Sequence, residues 1–169
     1  MSGKTIGLDM NNGFAGSYAR QPDMIINTHA NVEASANIPF GHALMAASGG
    51  VKLPTASITA ADFAGVASRQ VQSQIVYNAQ NGPGEYKPND PVSCFQRGRI
   101  NVECKVGTPA LNGAVYIAIS TANGNTIGDF TATVGTLNTD TILLPNCKWG
   151  GAKDANNVVE LVILKADNA

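Results

Sequence analysis

Two histidines, three cysteines and twelve carboxylates are the side chains of this 169-residue chain from which chemistry could be built. His29 and His42 both stand in the first third. No HExxH and no Cys/His pair at zinc-ligand spacing accompanies them, and a metal site needs at least three converging ligands. A hydrolase elbow, G-x-S-x-G, is absent. "GFAGS" (13–17) and "GNTIGD" (124–129) are glycine-rich. They lack the Gly-Lys-Ser/Thr ending of a phosphate loop and the βαβ setting of a dinucleotide site, so they read as turns. The carboxylate spacing specifies no acid–base pair. Cys94, Cys104 and Cys147 fit neither a CxxC pair nor a disulfide framework, and read as reduced, half-buried small hydrophobes. The expectation is no catalytic residue, no metal, no cofactor and no small-molecule substrate.

The one local charge feature is Arg97, Arg99 and Lys105, around "GRINVECKVG" (98–107). The stretch alternates: Ile100, Val102, Cys104 and Val106 fall on one side, and Arg99, Asn101, Glu103 and Lys105 on the other. The apolar row is expected inside. Nucleic-acid binding would ask for a broad basic patch with interleaved aromatics, whereas here Glu103 shares the row and only Phe95 is near. The charged row reads as a solvated or interface face, open to an acidic protein partner. With 14% charged residues and a formal net charge of -1, no long-range field steers a partner, and nucleic acid is not expected.

The elements that must position these groups are mostly strands. Gly, Ala, Asn and Thr abound while aromatics are only 6%, which suits short strands and tight turns. From Phe63, "FAGVASRQVQSQIVY" reads as strand material, with a short helix over 68–78 as the competing reading. Pro83, Pro88 and Pro91 make a loop of "NAQNGPGEYKPNDPV" (78–92). "VSCFQRG", "RINVECKV", "AVYIAIS" and a Thr-rich stretch around 131–149 give further strands, and Asn112-Gly113 a turn. "VVELVILK", apolar on both faces, should be buried on both sides and close the fold. The expected fold is mainly β: a small antiparallel β-barrel or sandwich over 51–169, with an extended, irregular N-terminal arm and loops over 1–50. That first segment lacks periodicity, yet Met24, Ile25, Ile26, Ile38, Phe40 and Leu44 are too apolar for a solvated linker. It should lie on this domain or on a neighbouring subunit. "MSGKTIGLDMNNGF" has no apolar leader core and no run is long enough to span a bilayer, so a soluble chain made in the cytoplasm, with no membrane partner, is expected.

In order, "DFAGVASRQV", "GEYKPNDPVSCFQRGRINVEC", "GTPALNGAVYIAIS" and "LPNCKWGG...DANNVVELVIL" resemble the structural cement (capsid decoration) proteins of tailed bacteriophages. "GFAGSYARQPDMIINT" and "IPFG" are similar to that family's leader, so the resemblance runs from about residue 10 to residue 164. It implies a non-enzymatic virion protein on the outer surface of the capsid, tying neighbouring major capsid protein subunits together. Capsid symmetry then favours a closed homo-oligomer, a homotrimer before a dimer. Phe14, Tyr18, Arg20, Ile25 and Ile26 of the arm are the expected capsid or subunit contacts, since aromatic and Arg side chains dominate interface energetics. The alternative is a receptor- or carbohydrate-binding β-module of a phage tail or surface structure. Such a module would need an exposed aromatic platform around the single Trp149, which otherwise caps a core. A small hydrolase would require a converging triad or metal cluster.

Overall fold

The computed structural model describes residues 11–69 and 84–165. Eleven strands lie among them: β1 (Tyr18–Ala30), β2 (Ile38–Pro39), β3 (Ala43–Ala47), β4 (Gly50–Lys52), β5 (Phe63–Ala67), β6 (Glu85–Tyr86), β7 (Pro91–Glu103), β8 (Ala114–Ala118), β9 (Phe130–Thr131), β10 (Thr141–Trp149) and β11 (Val158–Ile163). Nine form one antiparallel sheet in the order β4-β3-β5-β7-β11-β10-β8-β9, with β1 added on β7; β2 and β6 pair separately. The mainly β expectation holds, and the sheet curls into a half-barrel. β11 does not close it from an end. It lies inside the sheet, between β7 and β10, and it is not buried on both sides: Val159, Leu161 and Ile163 join the main core, while Glu160 and Val162 are half-buried on the outer face.

β7 organises the rest. "PVSCFQRG" and "RINVE" are one strand of 13 residues, opened by Pro91, where a missing N–H is tolerated. Gly98 sits in its middle at φ 112, a backbone conformation that suits glycine. Just before it the buried face changes parity: pairing with β1 slips between Phe95 and Arg97, so Phe95 enters the same core as Ile100 and Val102 while Arg97 is exposed. Cys94 and Val92 point to the opposite side, into a second cluster with Ile38, Phe40, Leu44, Val51 and Tyr86. The first half of β7 is therefore covered on both faces.

That second cluster explains residues 18–52. Read from sequence as arm and loops, they supply β1 to β4, and a division at residue 50 falls on the first residue of β4, inside the common sheet. β1 pairs along β7 from Tyr18↔Ile100 to Ala30↔Pro91. Between Arg20↔Arg99 and Ile25↔Arg97 the register slips, so residues 21–24 bulge against Gly98. This insertion erases the period-two pattern by which a strand is recognised. β2, β3 and β4 are too short to show a period at all. Residues 1–10 of the expected arm lie outside the described residues, as do 70–83, where most of the strand-or-helix reading of 68–78 falls.

The main core joins Phe63, Phe95, Ile100, Val102, Val115, Ile117, Phe130, Leu144, Trp149 and Leu161 from both ends of the sheet. Phe63 and Phe130 meet edge to face with ring centroids 6.3 Å apart. Each such side chain stabilises the fold by about 1.5–3 kcal/mol on burial. Under the second cluster the Tyr86 hydroxyl donates to the Ser68 carbonyl oxygen at 2.5 Å and accepts the Ser93 N–H, fastening the β6 segment to β7. Asn112 takes φ 62 in the turn before β8, as the Asn-Gly step predicts. In β10, Pro145 falls where pairing with β8 slips between Leu144 and Lys148.

Candidate functional site

Among the described residues two clusters of oppositely charged side chains stand out, and the first contains a histidine. His42 follows β2, Lys105 follows β7 and Asp129 precedes β9; together they line a depression of about 200 Å³. His42 Nε2 is 3.5 Å from Asp129 Oδ1, and Lys105 Nζ is 3.6 Å from Asp129 Oδ2 and 3.9 Å from Glu103. Burial raises the Asp129 pKa, but the His42 imidazole, the Thr126 N–H at 2.8 Å and the Lys105 charge outweigh it, so the carboxyl is held below its ordinary value. A carboxylate beside an imidazole could orient a general base, but among the described residues no Ser, Thr or Cys lines this depression to be activated. The cluster ties together three loop segments. His29 lies apart from it, on β1 opposite Val92. Among the described residues no group of three or more His, Cys, Asp and Glu could hold a metal ion.

The cysteines are placed as packing groups. All three are free and buried, and burial pushes the thiols of Cys94 and Cys147 up to about 12. Burial also raises Cys104, against the opposing pull of the Ala132 N–H and the Lys153 charge. None is an activated nucleophile. Trp149 is 1% exposed, which makes it a core residue and leaves no indole platform for a sugar.

The second convergence is the charged row of β7, and the fold divides it. Ile100, Val102 and Cys104 are fully buried as expected, while Val106 is half-buried. Asn101, expected on the charged face, is itself buried, because residues 12–17 fold over it. Its Nδ2 donates to the Asn12 carbonyl oxygen and to Ser17 Oγ, while its backbone exchanges hydrogen bonds with Gly16 and Ser17. Lys105 turns away to Asp129. Arg97 and Arg99 instead join Arg20 of β1. Arg20 Nε and Arg99 Nη1 donate to the two oxygens of Glu160, and Arg97 Nε is 3.2 Å from Asp23 Oδ1. Glu160 was not among the sequence candidates. It is the single charge in "VVELVIL", a signal that acquires meaning only once β11 is paired to β7.

Of the expected contact residues, Phe14, Tyr18 and Ile25 are exposed, at 67%, 39% and 47%. The Arg20 side chain is 66% exposed. The Arg69 guanidinium lies 4.7 Å over the Phe14 ring. Ile26, opposite Phe95, is half-buried and packs on the main core, so β1 presents Ile25 outward and Ile26 inward.

Comparison with known proteins agrees with this picture of a β scaffold. A chain of the solved structure "The capsid of Myoviridae Phage XM1" has the same fold, with a TM-score of 0.70 over 98% of this chain and 99% of that chain, at 19% identity. No curated protein sequence matches. Residues 3–164 match the family described as "Structural cement protein (E217 gp24/Pam3 gp6)". A match spanning nearly the whole sequence places the chain in that family: it belongs to the phage structural cement proteins, whose role is structural rather than catalytic, in association with capsid proteins and in stabilising the capsid.

Proposed function

We propose that the chain, made in the host cytoplasm, adds to the outer surface of the assembled head and bridges neighbouring major capsid protein subunits as a homotrimer. The observation that carries this reading is the family match over residues 3–164. The exposed Phe14, Tyr18, Arg20 and Ile25 supply the contact chemistry, and the inward Ile26 anchors the strand that presents Ile25. The mechanism is mass action. A protein that binds only the assembled lattice stabilises it by about 2.7 kcal/mol per site when its free concentration is a hundred times Kd. Closed symmetry on a threefold axis suits a trimer, and a dimer is the other closed choice.

The test is addition of purified protein to expanded, undecorated capsids of the parent phage. Stoichiometric binding and a higher capsid rupture temperature are expected, with trimers in analytical ultracentrifugation. Capsids whose rupture temperature stays unchanged at saturating protein refute the reading. A carbohydrate-binding module, the second reading, is not favoured, because the single tryptophan is in the core.

A further inference from the structure

We propose that the cationic depression built by Arg20, Arg97 and Arg99 seats an acidic side chain of the capsid partner, presented beside an apolar one. This inference rests on the cement reading and names the chemistry of its contact. The register assembles the site across four strands. Arg20 of β1 is opposite Arg99 of β7, Arg99 is opposite Val162 of β11, and Val162 is opposite Lys148 of β10. Directly opposed residues share a face, so these four form one row. Arg97 and Gly98 complete the floor of a depression of about 270 Å³, with Val162 and Leu164 on its apolar side. Leu164 is 61% exposed.

The charges are arranged to leave binding capacity over. Glu160, only 13% exposed, is held on one oxygen by Arg20 Nε and on the other by Arg99 Nη1. Asp23 holds Arg97 through Nε. These contacts fix the three guanidiniums while both terminal nitrogens of Arg20 and of Arg97 have no partner among the described residues. The side chains of Arg20, Arg97 and Arg99 are 66%, 51% and 43% exposed, so their remaining N–H groups reach solvent. Four cations against two carboxylates leave the face positive on a chain whose net charge is -1. A guanidinium fork matches a carboxylate in two parallel hydrogen bonds, and the adjoining Val162 and Leu164 suit an apolar neighbour of that carboxylate. Nucleic acid fits less well: the carboxylate of Glu160 stands beside the row, bound to Arg20 and Arg99, and among the described residues no aromatic side chain lines the depression for a base to stack on.

The experiment is co-sedimentation of the full chain with nuclease-treated expanded capsids over a range of NaCl concentrations. It compares wild type with Arg97→Glu, Arg20→Gln and, as a control of equal charge change elsewhere, Lys87→Glu. Arg97→Glu should weaken binding roughly tenfold at low salt and flatten its salt dependence, Arg20→Gln should weaken it about threefold, and Lys87→Glu should leave it unchanged. Arg20→Gln removes an exposed charge without reversing it, so it decides the matter if Arg97→Glu fails to fold. If wild type does not bind capsids, the cement reading falls. If wild type binds and both arginine variants bind within about twofold of it, or no more weakly than Lys87→Glu, this inference falls while the cement reading stands. Tight binding of wild type to a DNA duplex, lost in Arg97→Glu, would assign the depression to nucleic acid and overturn the proposal.

Discussion

Gly98 is where the bulge of β1 comes closest to β7, and an alanine there tests whether that bulge depends on the missing side chain. At φ 112 the position is costly for any side chain. A Cβ on Gly98 would overlap the Asp23 carbonyl oxygen and lie 3.1 Å from both Asp23 C and Met24 Cα. All three obstacles are backbone atoms, so no rotamer change relieves them. Gly49 provides the control: it has φ 87, and a Cβ there meets nothing within 4 Å. Both substitutions lose about 1–2 kcal/mol to left-handed strain. Both regain about 0.4–1 kcal/mol because alanine restricts the unfolded chain. Gly98→Ala adds overpacking of about 1–3 kcal/mol, since β1 must shift to admit the methyl group.

Gly49→Ala should therefore cost about 1 kcal/mol and Gly98→Ala about 3 kcal/mol, the latter a fall in Tm of roughly 6–12 °C for a chain of this size. Urea unfolding followed by Trp149 fluorescence measures both, with calorimetry as the check. If the two variants agree within about 0.5 kcal/mol, the packing of β1 on Gly98 is wrong, and with it the bulge that explains the missing pattern in residues 18–30.

Three further outcomes are expected. Asn101→Ala removes the side-chain bonds to Asn12 and Ser17 but keeps the backbone ones, so it should cost about 1–2 kcal/mol in urea unfolding without loss of the fold. The depressed Asp129 pKa makes its stabilisation fully present above the ordinary carboxyl value of 3.8 and lost as pH falls through the lower folded value. Asp129→Asn should cost roughly 1–3 kcal/mol near neutrality and make the acid-side fall in urea midpoint shallower; an unchanged slope would exclude the His42 and Lys105 contacts as its cause. A thiol reagent at mildly alkaline pH should label none of Cys94, Cys104 and Cys147 in the folded protein and all three in denaturant, read by mass spectrometry.

What could be read in the sequence was whatever one strand states by itself. The alternation of Ile100, Val102 and Cys104 gave both burial and strand type, whereas the apolar run of β11 gave the strand but not its half-exposed outer face. The burial of Trp149 beside a glycine turn was open to inference as well. What could not be read depends on pairs of strands. β1 looks aperiodic because its irregularity is matched to Gly98, some seventy residues later. Asn101 looks outward because the segment that covers it precedes it by more than eighty residues. Glu160 is meaningless among apolar neighbours until β11 is laid against β7 and two arginines take its oxygens. Local sequence carries period, whereas register and coverage are long-range quantities.

The parity change between Phe95 and Arg97 also separates stability from recognition along one strand. Before it, β7 is wrapped on both faces: Phe95 belongs to the main core, and Val92 and Cys94 to the cluster closed by Phe40 and Tyr86. Such a segment has no free surface to offer a partner. After it, Ile100 and Val102 hold the interior while Arg99, together with Arg20 of β1, binds Glu160 on the outside. A capsid contact placed there leaves the half that is wrapped on both faces undisturbed. The same geometry explains why charge substitutions at Arg20 or Arg97 should change binding with little effect on unfolding, whereas a methyl group at Gly98 should do the reverse and lower stability first.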